Sequence, residues 1–168
     1  MPVTRQLLRP VRLTFILFSF VLALLINQLP WGSDLGAFSP DCVAILLLYW
    51  TLNQPRRVGV GAAFLLGLMM DVGDGNVLGQ HALAYTVIAY IALSRQRLIA
   101  VFPFWQQALV VLGLLLTGQL IMLLLQLSLG AAMVGWSYFA GCLLGAVLWV
   151  PLCNLMLSHQ RKPVPVNL

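Results

Sequence analysis

Six apolar runs, separated by short polar stretches, make up most of this chain. The first covers 13–29 and closes at Pro30. The stretch "WGSDLGAFSP", 31–40, has the glycine, serine and proline of a loop and carries Asp34. A second run, 41–54, opens at "SPD" and is stopped by Pro55. There Ser39 can cap a helix, Pro40 suits a first turn, and Asp41 favours a helix N-terminus. Further runs follow at 58–71, 80–94 and 104–129, the last starting after Pro103. The sixth, 135–158, contains Pro151, where a kink is expected.

Runs two to four are short. About 20 residues are needed to cross roughly 30 Å of hydrocarbon. A run of about 14 residues reaches only about 21 Å at 1.5 Å per residue. Such lengths imply local bilayer thinning, or helices surrounded by protein and continued by non-helical backbone. A funnel is therefore expected near residues 35–41 and 71–80, supported by the long fifth and sixth helices.

Composition agrees with a lipid environment. The chain is 61% hydrophobic and 8% charged, with a mean hydropathy of +0.98. Soluble domains run near a quarter charged. The 168 residues suit one membrane domain spanning 1–168, with no stretch left over for a soluble one.

The charges order the runs. Nine basic residues stand against four acidic ones, for a net charge of +5. Arg5, Arg9 and Arg12 precede the first run, Arg56 and Arg57 separate the second from the third, Arg95 and Arg97 follow the fourth, and Arg161 and Lys162 follow the sixth. In a six-crossing arrangement every basic residue falls on one side, while Asp34, Asp41, Asp71 and Asp74 fall on or near the other. That partition predicts six transmembrane helices with both termini cytoplasmic. It also accounts for the basic balance without nucleic acid as a partner. The first run has no small-x-small site at its end and reads as an uncleaved signal anchor.

The stretch "GLMMDVGDGNVLGQHALAY", 67–85, concentrates the candidate chemistry. A carboxylate at Asp71, closing an apolar run, costs about 2–3 kcal/mol if centrally buried and little at the headgroup boundary. At a helix C-terminus the macrodipole also disfavours it. Asp71 is therefore expected to cap backbone N–H groups of the turn or of the next helix, the alternative being contact with a ligand, partner or proton. Gly73 and Gly79 flank Asp74 with turn chemistry, and Gln80 and His81 open the next helix. Asp41, Gly67, Asp71, Asp74, Gly79, Gln80 and His81 are the candidate notch, structural or partner-binding.

Small residues recur at helical spacing. Gly59, Ala63 and Gly67 lead to Asp71, and Ser137, Gly141 and Gly145 repeat the pattern on the sixth run. Such stripes pack helices within a chain or bring two chains together as a homodimer. Gln119, Gln126 and Asn154 require hydrogen-bond partners at membrane depth. Cys42, Cys142 and Cys153 lie in apolar runs without ligand spacing and read as small hydrophobes. His81 and His159 fall on opposite sides, so no metal site is expected. No P-loop, GxGxxG or nucleophile motif occurs, so neither a cofactor nor an enzyme is expected.

The stretch 27–112, with "SPD" before "LLYW", Pro55 with Arg57, "GLMMD" with its glycine turn, and "WQQAL", resembles the bacterial MreD family of rod shape-determining proteins. The resemblance implies a non-enzymatic component of the cell-wall elongation machinery. It implies direct binding to MreC, and through it association with MreB filaments, RodA and its class B penicillin-binding partner. It also implies a fold similar to the S-components of energy-coupling-factor transporters, which are six-helix bundles with short central helices. The alternative is an S-component-like receptor that holds a small molecule or lipid in a periplasm-facing pocket.

Overall fold

The computed structural model describes residues 12–29, 39–75, 78–130 and 136–160. Among the described residues all regular elements are helical. They are α1 (Leu13–Asn27), α2 (Cys42–Asn53), α3 (Val60–Asp74), α4 (Gln80–Ile99), α5 (Phe104–Ser128) and α6 (Ala140–Gln160), with a 3-10 turn at Trp136–Phe139. Each apolar run thus contains a helix. Asp34, the stretch 35–38, Arg5, Arg9, Arg161, Lys162 and the side chains of Ser137 and His159 lie outside the described residues.

The boundaries differ from the sequence expectation in four places. Helix α4 continues past residue 94 to Ile99. Ser94, Arg95, Gln96 and Arg97 end the apolar pattern without ending the helix, and Gln96 Nε2 donates to the Leu52 carbonyl at 2.7 Å. Helix α3 gains its last turn and stops at Gly75, whose φ of +63° suits glycine. Helix α6 begins at Ala140, after the 3-10 turn, and carries Pro151 inside it. The cap of α2 is Asp41 rather than Ser39, because the Asp41 carboxylate accepts from Ala44 N at 2.9 Å.

Helix α2 is the axis of the bundle. Val43 to Ile45 and Leu47 to Leu52 are all buried, and the helix packs against α1, α4, α5 and α6. A helix enclosed on all sides needs no polar face, which is why "CVAILLLYWTLN" is nearly unbroken in apolar residues. At 1.5 Å per residue it is about 18 Å long, against about 37 Å for α5. Helix α1 packs on it through Ile16, Ser19, Phe20 and Ala23, at the spacing of one helical face. Trp50 Nε1 donates to Ser19 Oγ at 3.0 Å within that contact.

Successive helices run in alternating directions. The side chain of Asn27, closing α1, meets Asp41 at the start of α2, and Gln107 near the start of α5 donates to the Ile99 carbonyl closing α4. Arg12, Arg56, Arg57, Arg95 and Arg97 therefore gather at one end of the bundle, and Asp41, Asp71 and Asp74 at the other. Residues 104–128 and 140–157 each form a helix long and apolar enough to cross a membrane. Large apolar side chains also face outward on the other helices, among them Leu17, Phe18, Leu65 and Met69.

Candidate functional site

The acidic end of the bundle is built on two carboxylates, each bonded to the start of a helix. Asp71 sits in the last turn of α3 and is fully buried, at 0% exposure. Its Oδ2 accepts from Gly79 N at 2.7 Å and Ala82 N at 3.3 Å, and its Oδ1 from His81 N at 2.8 Å. The Nδ1 atom of His81 lies 2.9 Å from the same Oδ1. The N-cap of α4 is Gly79, which has no side chain to offer and a φ of +107°. Asp71 therefore performs the N-cap function from another helix. The unfavourable dipole of α3 is outweighed by the N–H groups and positive end of α4.

Asp41 performs the same function for its own helix and ties in two others. Its Oδ1 accepts from Ala44 N and from Asn27 Nδ2 at 3.0 Å, while Tyr85 OH donates to Oδ2 at 2.6 Å. Asn27 in turn accepts from Cys42 N at 3.1 Å. Asp74 accepts from Gln28 Nε2 at 3.2 Å, and its Oδ2 lies 3.8 Å from His81 Nε2. The His81 ring stands edge-on to Tyr85, with centroids 5.7 Å apart. Helices α1 to α4 are thus joined at this end by one polar network.

A cavity of about 250 Å³ lies beside the network. Helix α2 is short and starts only at Cys42, and the cavity lies beside its start, between the longer helices around it. Its lining includes Asp41, Asp74, His81, Tyr85, Gln119, Gln126 and Tyr138, with Ile88, Leu115 and Met122 among the apolar side chains. Gln119 donates to the Tyr138 carbonyl at 2.8 Å and accepts from Cys142 Sγ at 2.7 Å. The His81 ring nitrogens lie 2.9 Å from Asp71 Oδ1 and 3.8 Å from Asp74 Oδ2. No Lys or Arg occurs between residues 13 and 55, 58 and 94, or 98 and 160, so none lies in a connection at this end.

The candidate residues divide into two layers. Asp41, Asp74 and His81 line the cavity, and residues 39–41 with Met70 and Asp74 supply the parts of the expected funnel that are described. Asp71, Gly79 and Gln80 stand behind it, with Gln80 Oε1 3.5 Å from Gln126 Nε2. Asn27, Gln28, Tyr85 and Tyr138 were not singled out from sequence. Tyr85 carried a usable signal, since it lies one turn beyond His81 on the same face of α4.

Within the small-residue stripes, Ala63, Gly67, Gly141 and Gly145 are packed against the rest of the chain. A Cβ on Gly67 would overlap the Ala82 backbone and the His81 carbonyl, so α3 and α4 touch backbone to backbone there. Ala63 is fully buried one turn earlier, and Gly59 caps the helix start. On α6, a Cβ at Gly141 would stand 2.6 Å from the Ser39 carbonyl, and one at Gly145 would stand 2.8 Å from Leu115 Cδ1. Cys142 and Cys153 are buried and Cys42 half-buried, all as free thiols. No group of three metal-ligating side chains converges among the described residues.

A family model described as rod shape-determining protein MreD matches residues 9–158. A curated rod shape-determining protein MreD from Haemophilus influenzae is 32% identical over 147 residues, covering 88% of this chain and 91% of the relative. No solved structure matches the chain.

Proposed function

The chain belongs to the MreD family of rod shape-determining proteins, and on that premise we propose that it is a non-enzymatic scaffold of the bacterial inner membrane. The family gives it a role in maintaining rod shape. In this proposal α1 to α6 each cross the membrane, with both termini in the cytoplasm. The gathering of arginines at one end of the bundle supports that orientation. The buried position of the short α2 supports it too, since the neighbours of α2 supply the length it lacks.

The scaffold would bind MreC directly, at the periplasmic notch shaped by Asp41, Asp71, Asp74 and the start of α4. Through MreC it would join MreB, RodA and the class B penicillin-binding protein in the elongation machinery. Lipid surrounds the remaining faces, and a homodimer would use a face other than the filled small-residue stripes.

Asp71 carries this reading. Its two oxygens meet four donors, Gly79 N, His81 N, His81 Nδ1 and Ala82 N. A carboxylate has about four lone-pair sites, and this full set of contacts supports a role in holding the notch in shape. Co-purification with MreC from detergent tests the proposal. Asp71→Ala and Gly67→Leu each deform the notch and are expected to lower complex yield and round the cells. Unchanged yield and cell shape in both variants would place the partner surface elsewhere.

A further inference from the structure

We propose that the cavity beside α2 binds a primary ammonium group, carried either by a free small amine or by the headgroup of an aminophospholipid. The first ground is charge. Asp41 and Asp74 both line the cavity, and among the described residues no Lys or Arg stands at that end of the bundle. His81, the one basic side chain present, is already bonded to Asp71 through Nδ1. Two carboxylates beside an apolar bundle favour a counter-charge from outside the chain, and they disfavour an anionic ligand.

The second ground is hydrogen bonding. Among the described residues Asp41 Oδ2 accepts only from Tyr85, which leaves an acceptor site on that oxygen. Asp74 Oδ2 lies 3.8 Å from His81 Nε2, beyond hydrogen-bond reach, and among the described residues no donor is bonded to it. An ammonium brings three N–H donors to such acceptors, whereas a quaternary amine brings none. Tyr85 and Tyr138 add aromatic residues to the wall, and aromatic rings can attract cations.

The third ground is size. Pockets for drug-sized ligands run from roughly 300 to 1,000 Å³, and this one holds about 250 Å³. It therefore takes a small body or only the headgroup of a larger molecule, with its carbon atoms against Ile88 and Met122. The proposal shares Asp41 and Asp74 with the proposed MreC notch, but amine binding is read on the purified chain without MreC, so the two can fail separately.

The test uses the full chain, purified in detergent, with ethanolamine as probe and ethylene glycol as its neutral counterpart. Ethanolamine is expected to raise the thermal unfolding midpoint in a saturable way, and ethylene glycol is not. Asp74→Asn, a change at an exposed helix end, is expected to weaken ethanolamine at least about tenfold. Met122→Trp fills the cavity from the opposite wall without altering charge and is expected to abolish the effect. Native mass spectrometry from nanodiscs of equal phosphatidylethanolamine and phosphatidylglycerol identifies the source. Selective retention of the ethanolamine lipid, lost in Asp74→Asn, assigns a headgroup. An ethanolamine shift without lipid retention assigns a free amine. If neither amine is held in preference to its control, or if both variants bind as the parent does, the proposal is overturned.

Discussion

Asp71 caps a helix to which it does not belong, and His81 is the residue that meets it twice. The main-chain N–H of His81 lies 2.8 Å from Asp71 Oδ1, and its ring Nδ1 lies 2.9 Å from the same atom. The acceptor closes α3 and the donors open α4, so the turn between them is clamped across its base. The consequences extend to stability, packing and topology.

Asp71→Ala strands three backbone N–H groups and leaves the His81 ring without its partner. Removing one partner of a buried charged contact costs about 3–5 kcal/mol. Asp71→Asn keeps an acceptor oxygen and is expected to lose less. Thermal unfolding in detergent, followed by gel filtration, should order the stabilities as parent, Asn, Ala. Equal stability of parent and Ala would mean that Asp71 is not the cap of α4.

Gly67 and Gly61 lie on α3 but face different surroundings. A Cβ at Gly67 overlaps the backbone of α4, while one at Gly61 meets nothing within 4 Å. Gly67→Ala should force the helices apart and cost about 1–3 kcal/mol, as overpacking does. Gly61→Ala should be neutral or stabilise by about 0.5–1 kcal/mol, the usual gain in a helix. The opposite signs can be read from the same unfolding assay.

Tyr85→Phe removes only the hydroxyl that donates to Asp41 at 2.6 Å. Hydrogen bonds to charged groups contribute about 1.5–3 kcal/mol, so a loss of that order is expected. A double-mutant cycle with Asp41→Asn should show the two residues coupled by about 0.5–3 kcal/mol. Additive losses would show that the tyrosine acts by packing alone.

Membrane orientation can be checked by single cysteines at Arg56 and Leu78, both exposed and at opposite ends of the bundle. A membrane-impermeant maleimide should label the Leu78→Cys protein in intact cells. The Arg56→Cys protein should be labelled only in inverted vesicles. Labelling of both from one side would rule out the alternating six-pass arrangement.

Ser94 and Asp71 mark where sequence reading stops. Beyond Ser94 the chain turns polar, yet α4 continues for five residues to Ile99, because arginine and glutamine are good helix formers and Gln96 has a carbonyl of α2 to reach. Polarity ended there and the backbone did not. For Asp71 the sequence narrowed the choice to capping or contact, and the Gly79 start of α4 made capping reasonable. Its actual donors depended on how closely Gly67 lets the two helices approach.

The sequence alone determined the elements and their polarity: where apolar runs form helices, and that the arginines and aspartates fall at opposite ends. Those properties are local, set by composition and spacing along each helix. Only the tertiary structure decided that the short second helix is the axis of the bundle, that a cavity lies beside its start, and that Asn27, Asp41, Asp74, His81 and Tyr85 meet at its edge. Those relationships bring together residues up to 58 positions apart, from Asn27 to Tyr85. A hydrogen bond is made or lost within a few tenths of an ångström. No pattern along one helix carries that information, because the partner's position is set by the packing of the others.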